Sequence, residues 1–126
     1  MYTDASVQDF ELRIGYRIQK SNGEVIHEHG KNTMTAQDST QGEIISILHA
    51  LRYTITNTTI THLTIYTDSH SVKEMLSERS DAEPKQQDVY TLITATRQLL
   101  KNFTQVEVFY IESQSNPAHS IAYYTS

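Results

Sequence analysis

Two short phrases hold the residues best suited to chemistry, Tyr2-Thr3-Asp4-Ala5-Ser6 and Ile65-Tyr66-Thr67-Asp68-Ser69. Each sets an aspartate just after a short apolar-aromatic run and follows it with a small or hydroxyl residue. A strand ending on a carboxylate delivers that group at a fixed height on a sheet edge. Two such strands side by side bring two carboxylates together, a hard-oxygen set that suits a divalent cation such as Mg2+. Without a cation, two converging carboxylates repel, and the pKa of one rises. A third carboxylate, Glu43, stands early in an amphipathic run between the two phrases.

The elements that must position these groups follow from the patterning. Residues 1–3 suffice only for a stub of strand before Asp4. From Phe10 to Gln19, Phe10, Leu12, Ile14, Tyr16 and Ile18 share one face and Glu11, Arg13 and Arg17 the other, a period-two strand. Ser21-Asn22-Gly23 is a hairpin turn, since Asn-Gly readily takes positive φ. Glu24 to Gly30 is the return strand, with Val25, His27 and His29 on one face, and Gly30-Lys31-Asn32 ends it. Asp38, Ser39 and Thr40 offer N-caps for a helix whose stripe is Ile44, Ile47, Leu48 and Leu51. Asn57 to Thr61 is a loop, and Leu63, Ile65 and Thr67 alternate on a strand ending at Asp68. Ser69 caps a short helix bearing Val72, Met75 and Leu76. Glu78 to Lys85 is polar and turn-like. Gln86 to Lys101 is a helix, and Val106 to Ile111 is a strand whose apolar centre predicts burial. Ser115 or Asn116 caps a last helix over Pro117 to about Tyr124, with proline in its first turn. Three strands, helix, strand, helices, strand, helix describes a mixed sheet with helices on its faces.

A chain of 126 residues makes a single domain over 1–126 and buries roughly two-thirds of its unfolded surface, enough to fold without crosslinks. It has no cysteine, which excludes disulfides and thiolate metal sites. No basic region followed by a long apolar run opens the sequence, and no apolar run approaches membrane-spanning length. The expectation is a soluble, cytoplasmic protein without a membrane partner. The formal charge of −5 argues against a general polyanion binder. It leaves room for an acidic site whose local sign a bound cation reverses.

The order aspartate, helix glutamate, aspartate, in these strand and helix contexts, resembles the ribonuclease H type 1 family over nearly the whole chain. Asp4 in Thr-Asp-Ala-Ser, Glu43 in Gln-Gly-Glu-Ile-Ile-Ser-Ile-Leu and Asp68 in Tyr-Thr-Asp-Ser match its first three catalytic carboxylates. Asn116-Pro117-Ala118-His119-Ser120-Ile121-Ala122 matches its final helix phrase, with His119 in the slot of the fourth carboxylate. The chain departs from the family in three further places. Val7-Gln8-Asp9 replaces the glycine-rich loop, Ser80 to Lys85 stands where some members carry a basic helix-loop, and Glu112 to Ser115 contains no histidine.

The resemblance implies an α/β ribonuclease H-like fold. Its five-stranded mixed sheet has three antiparallel strands, then two parallel to the first, and helices flank both faces. It also implies metal-dependent endonucleolytic hydrolysis of the RNA strand of RNA–DNA hybrids. Two ions about 4 Å apart would serve that reaction. Asp4 would bridge them, with Glu43 and Asp68 on either side. His119 would be a neutral fourth ligand or orient water, favouring Mn2+ over Mg2+. Ser6, Thr40, Gln41 and Ser69 are candidate substrate contacts, and 2′-hydroxyls and groove shape rather than bases would be recognised. The alternative is a catalytically weak or inactive module of the same fold that binds nucleic acid or a protein. Of the other histidines, His27 and His29 have a zinc-compatible spacing without a third ligand, His70 follows the second phrase, and His49 and His62 show no constellation.

Overall fold

A computed structural model of the protein describes residues 1–8, 11–35, 38–77 and 87–123. Phe10, the polar stretch Glu78–Lys85, Gln86 and Tyr124 lie outside the described residues. The elements are β1 (Tyr2–Gln8), β2 (Glu11–Gln19), β3 (Val25–Thr35), α1 (Ser39–Asn57), β4 (His62–Thr67), α2 (His70–Leu76), α3 (Gln87–Leu100), β5 (Gln105–Tyr110), a 3-10 turn (Ser113–Ser115) and α4 (Pro117–Tyr123). The strands form one five-stranded sheet in the order β3-β2-β1-β4-β5. β1, β2 and β3 pair antiparallel, β4 runs parallel to β1, and β5 runs parallel to β4.

The alternation in β2 decides which face is covered by what. Leu12, Ile14, Tyr16 and Ile18 are all buried. Leu12 and Ile14 pack with Ala5, Val7 and Ile45 in a cluster of their own, while Tyr16 and Ile18 meet the apolar stripe of α1, where Ile44, Ile47, Leu48, Ala50 and Leu51 are buried in turn. Leu63 and Ile65 of β4, Val72, Met75 and Leu76 of α2, and Val89 and Ile93 of α3 complete this core. Each such side chain contributes roughly 1.5–3 kcal/mol on burial. The opposite face of β2 receives α4. A Cβ on Gly15 would lie 2.9 Å from both Ala118 O and Ala122 Cα, so only glycine lets the helix approach this closely. Gly30 sits beside Gly15 in the β2–β3 register, which clears the same face on the neighbouring strand.

The hairpin closes as expected. Gly23 has φ 93°, the Asn22 Oδ1 accepts from Glu24 N, and the Lys20 N–H donates to Glu24 O. Three expectations are corrected. β3 does not end at Gly30 to Asn32 but pairs on to Thr35, because two register irregularities let it follow β2 to its start. Asp4 does not end its strand: β1 continues to Gln8, held by β2 along its whole length. β5 is an edge strand with every second residue exposed, Phe109 at 43%, because Gln105, Glu107 and Phe109 share the face turned away from the core, and Val106 and Val108, which pack against the core, are only partly buried. Its apolar residues therefore do not mark a buried central strand.

Replacing Gly15 by alanine should lower stability by about 1–3 kcal/mol, the usual cost of overpacking. Urea unfolding of the variant measures this. An unchanged midpoint would mean that α4 does not rest on β2 as closely as described.

Candidate metal centre

β1 and β4 are parallel neighbours that pair only at Tyr2↔Tyr66, after which they part. The gap opens at the carboxyl end of β4, next to the point where the chain order in the sheet reverses. Such crevices are where open α/β sheets bind ligands. Asp4 stands on one lip. It pairs with Gly15 and so projects toward the α4 face. Asp68 stands on the other lip, directly after Thr67, the last residue of β4. Glu43 enters from α1. That helix is set by Asp38, whose Oδ1 accepts the Gln41 N–H at 2.9 Å, and by the stripe that presses it on the sheet. One carboxylate oxygen from each of Asp4, Glu43 and Asp68 lies within 4.8 Å of the others.

The surroundings fix each carboxylate differently. Glu43 is buried, and its Oε1 accepts hydroxyl hydrogen bonds from Thr3 and Thr67, each at 2.9 Å. The Asp4 Oδ1 accepts the Ala5 N–H at 2.8 Å, and its Oδ2 lies 2.8 Å from His119 Nδ1. The Asp68 Oδ2 accepts the Ser113 hydroxyl at 2.9 Å. His119 is carried by α4, which Asn116 pins to β1: Asn116 Nδ2 donates to Thr3 O, and its Oδ1 caps the helix by accepting from Ala118 N. An ionised carboxylate oxygen only accepts, so the proton of this contact is on His119 Nδ1.

The three carboxylates, His119, Ser6, Thr40, Ser69 and Ser113 line one open cleft of about 440 Å3. Of the four candidate substrate contacts, Ser6, Thr40 and Ser69 lie there. Gln41 is not among the lining residues, and its backbone serves the helix cap. His119 stands beside the carboxylate triad rather than within the group whose ligand atoms converge. Among the described residues no histidine joins such a group. His27 stacks flat on Tyr53 at 3.8 Å and runs parallel to His29 at 6.1 Å, a packed pair without a third ligand. His70 stacks on Tyr110 at 3.7 Å. The sequence reading missed Thr3, Thr67 and Ser113. The one available signal was that threonine precedes both aspartates.

Burial, followed by the charges of Asp4 and Asp68, pushes the Glu43 carboxyl up to about 8, and the two threonine hydroxyls pull the other way. Burial and the Asp68 charge raise Asp4 to about 6, against the hydrogen bond from His119. A site that resists its own negative charge in this way fits a divalent cation, and its all-oxygen carboxylate set fits Mg2+ or Mn2+. Because both groups hold protons more tightly when folded, their contribution to stability is full below about pH 4. It is lost as pH rises through about 6 and 8. Without divalent cation, the melting temperature should therefore fall by several degrees between pH 5 and 8. Millimolar MnCl2 should restore more of it at pH 8 than at pH 5, and Glu43→Gln should flatten the slope. A slope left intact in that variant would place the pH dependence elsewhere.

No curated protein matches the chain in sequence. Among solved structures, the chain is similar to ribonuclease H1 of Halobacterium salinarum, with a TM-score of 0.87 and 19% identity over 97% of this chain and 92% of that one. The N-terminal ribonuclease H domain of Mycobacterium tuberculosis Rv2228c, solved as a fusion with maltose-binding protein, gives 0.86 at 17% identity over 97% and 88%. The compost metagenome protein LC11-RNase H1, solved in complex with RNA/DNA hybrid, gives 0.75 at 16% identity over 97% and 91%. The family model described as reverse transcriptase-like matches residues 3–125. The chain is a ribonuclease H-like domain and belongs to the reverse transcriptase-like family.

Proposed function

We propose that this domain hydrolyses the RNA strand of RNA–DNA hybrids endonucleolytically with divalent cations. The convergence of Asp4, Glu43 and Asp68 at the parting of β1 and β4 carries this reading. The fold shared with LC11-RNase H1, solved on RNA/DNA hybrid, supports the choice of substrate. Asp4, Glu43 and Asp68 would hold the ions. When bound, such ions activate water, polarise the phosphate and stabilise the leaving oxygen.

The chain's own groups do the rest. The hydroxyls of Ser6, Thr40 and Ser69 can donate to sugar and phosphate oxygens along the cleft. None is a base-reading group in a groove, so recognition rests on 2′-hydroxyls and shape. His119 holds Asp4 through Nδ1, and its imidazole would bring nitrogen rather than carboxylate oxygen to the site. A nitrogen donor in place of a carboxylate favours Mn2+ over Mg2+. With a net charge of −5, affinity for hybrid is weak and strongly salt-dependent.

A second reading, a module of the same fold that binds without cutting, has one observation in its favour. His119 Nδ1 occupies the Asp4 oxygen at 2.8 Å and brings no negative charge to the site.

Cleavage of an end-labelled hybrid separates the two. The parent should cut with Mn2+ and more slowly with Mg2+. Asp4→Asn should lose more than about 100-fold in rate, beyond the usual range for groups that only support a metal ligand. Its folding and hybrid binding should stay close to the parent's. No cleavage by folded parent with either metal would leave the binding module. His119→Asp should raise the rate with Mg2+ toward that with Mn2+. Equal rates in the two metals, with no gain in the variant, would remove His119 from the account.

A further inference from the structure

We infer that Thr3 and Thr67 form a buried hydroxyl clamp that positions the Glu43 carboxylate for cation binding. This is why threonine precedes the aspartate in both phrases. The inference rests on the metal-site reading above and deepens it.

The two threonines come from β1 and β4, the strands that part to make the cleft, and both are fully buried. Along a strand, successive side chains point to opposite faces. When Asp4 projects toward α4, Thr3 must project toward α1, where Glu43 arrives. Thr67 shares its face with the core residues Leu63 and Ile65 and points the same way. Both hydroxyls reach the same atom, Glu43 Oε1, at 2.9 Å each.

The direction of these bonds is determined. In the ionised form that binds a cation a carboxylate oxygen only accepts, so each hydroxyl donates. Thr67 Oγ1 also accepts the Ser69 N–H at 3.2 Å through one of its two lone pairs, which holds the hydroxyl in place. Its proton goes to the ionised Glu43 oxygen. Oε1 thus has two donors from two strands, which fix the carboxylate against rotation about its last bond. Oε2 receives no hydrogen bond from the described residues. Because Glu43 lines the cleft, Oε2 is the oxygen available to a cation there. Partners that orient a metal ligand in this manner commonly contribute 10–100-fold to affinity, by fixing geometry before the ion arrives.

Thr→Val keeps the shape and removes the donor, whereas Thr→Ser keeps the donor and removes a methyl. Mn2+ affinity of the intact chain, measured by isothermal titration, is the readout. Thr3→Val and Thr67→Val should each weaken Mn2+ binding about tenfold. Thr3→Ser and Thr67→Ser should bind within about twofold of the parent, even where the lost methyl lowers thermal stability. Where a valine variant does not fold, Thr→Cys, which keeps the volume with a poor donor, takes its place and should show the same loss. Valine variants that bind Mn2+ like the parent would overturn the clamp, as would serine variants that lose as much as valine. A parent that binds no Mn2+ would overturn it as well. Because the readout is metal affinity and not cleavage, a parent that binds Mn2+ with this pattern of variants yet cuts no hybrid would refute the proposed activity and leave the clamp standing.

Discussion

β1 follows one neighbour to its end and leaves the other at its start, and the candidate site is organised around that divergence. It pairs with β2 over its whole length and with β4 only at Tyr2↔Tyr66. Past that point the two parallel strands diverge. The cleft there is lined by residues of β1 and α1 and by Asp68 directly after β4. α1 sends Glu43 into it, the two aspartates stand at its lips, and the core under α1 holds those three groups in place.

Strand alternation lets one dipeptide serve two sides of the sheet. In Thr3-Asp4, the hydroxyl supports Glu43 toward α1 while the carboxylate turns toward α4. α4 can approach because Gly15 has no side chain, and Asn116 then ties the helix to the backbone of Thr3. His119 reaches Asp4 through that chain of contacts. The residue replacing a carboxylate in the resembling family is therefore held in the position that a ligand-orienting group needs.

Three carboxylates in a partly buried cleft oppose one another, and the fold supplies only partial relief. Hydroxyls, one imidazole and one backbone N–H answer particular oxygens, but no arginine or lysine does so among the described residues. The raised pKa values of Asp4 and Glu43 express the remainder. Protons can supply the missing positive charge at low pH, and a divalent cation can supply it at neutral pH. Binding energy for the ion is in this sense stored in the folded site.

Local physics made much of this legible in the sequence. Asn22-Gly23 specified its turn, the period of β2 specified its buried face, and Asp38, Ser69 and Asn116 capped the helices they precede. The order of Asp4, Glu43 and Asp68 was sufficient to point to one site, because strand and helix contexts are encoded within a few residues. What the sequence could not decide depends on partners far along the chain. The clamp joins Glu43 to residues 40 and 24 positions away, Ser113 meets Asp68 across 45, and His119 meets Asp4 across 115. The apolar residues of β5 read as buried because exposure depends on what covers each face and edge of a strand, and β5 is paired on one edge only and exposed on one face. Asp4 read as a strand end because the long pairing with β2 is a property of the partner, not of the phrase. Residue type fixes what a side chain can donate or accept, but only the folded backbone fixes which group is there to receive it.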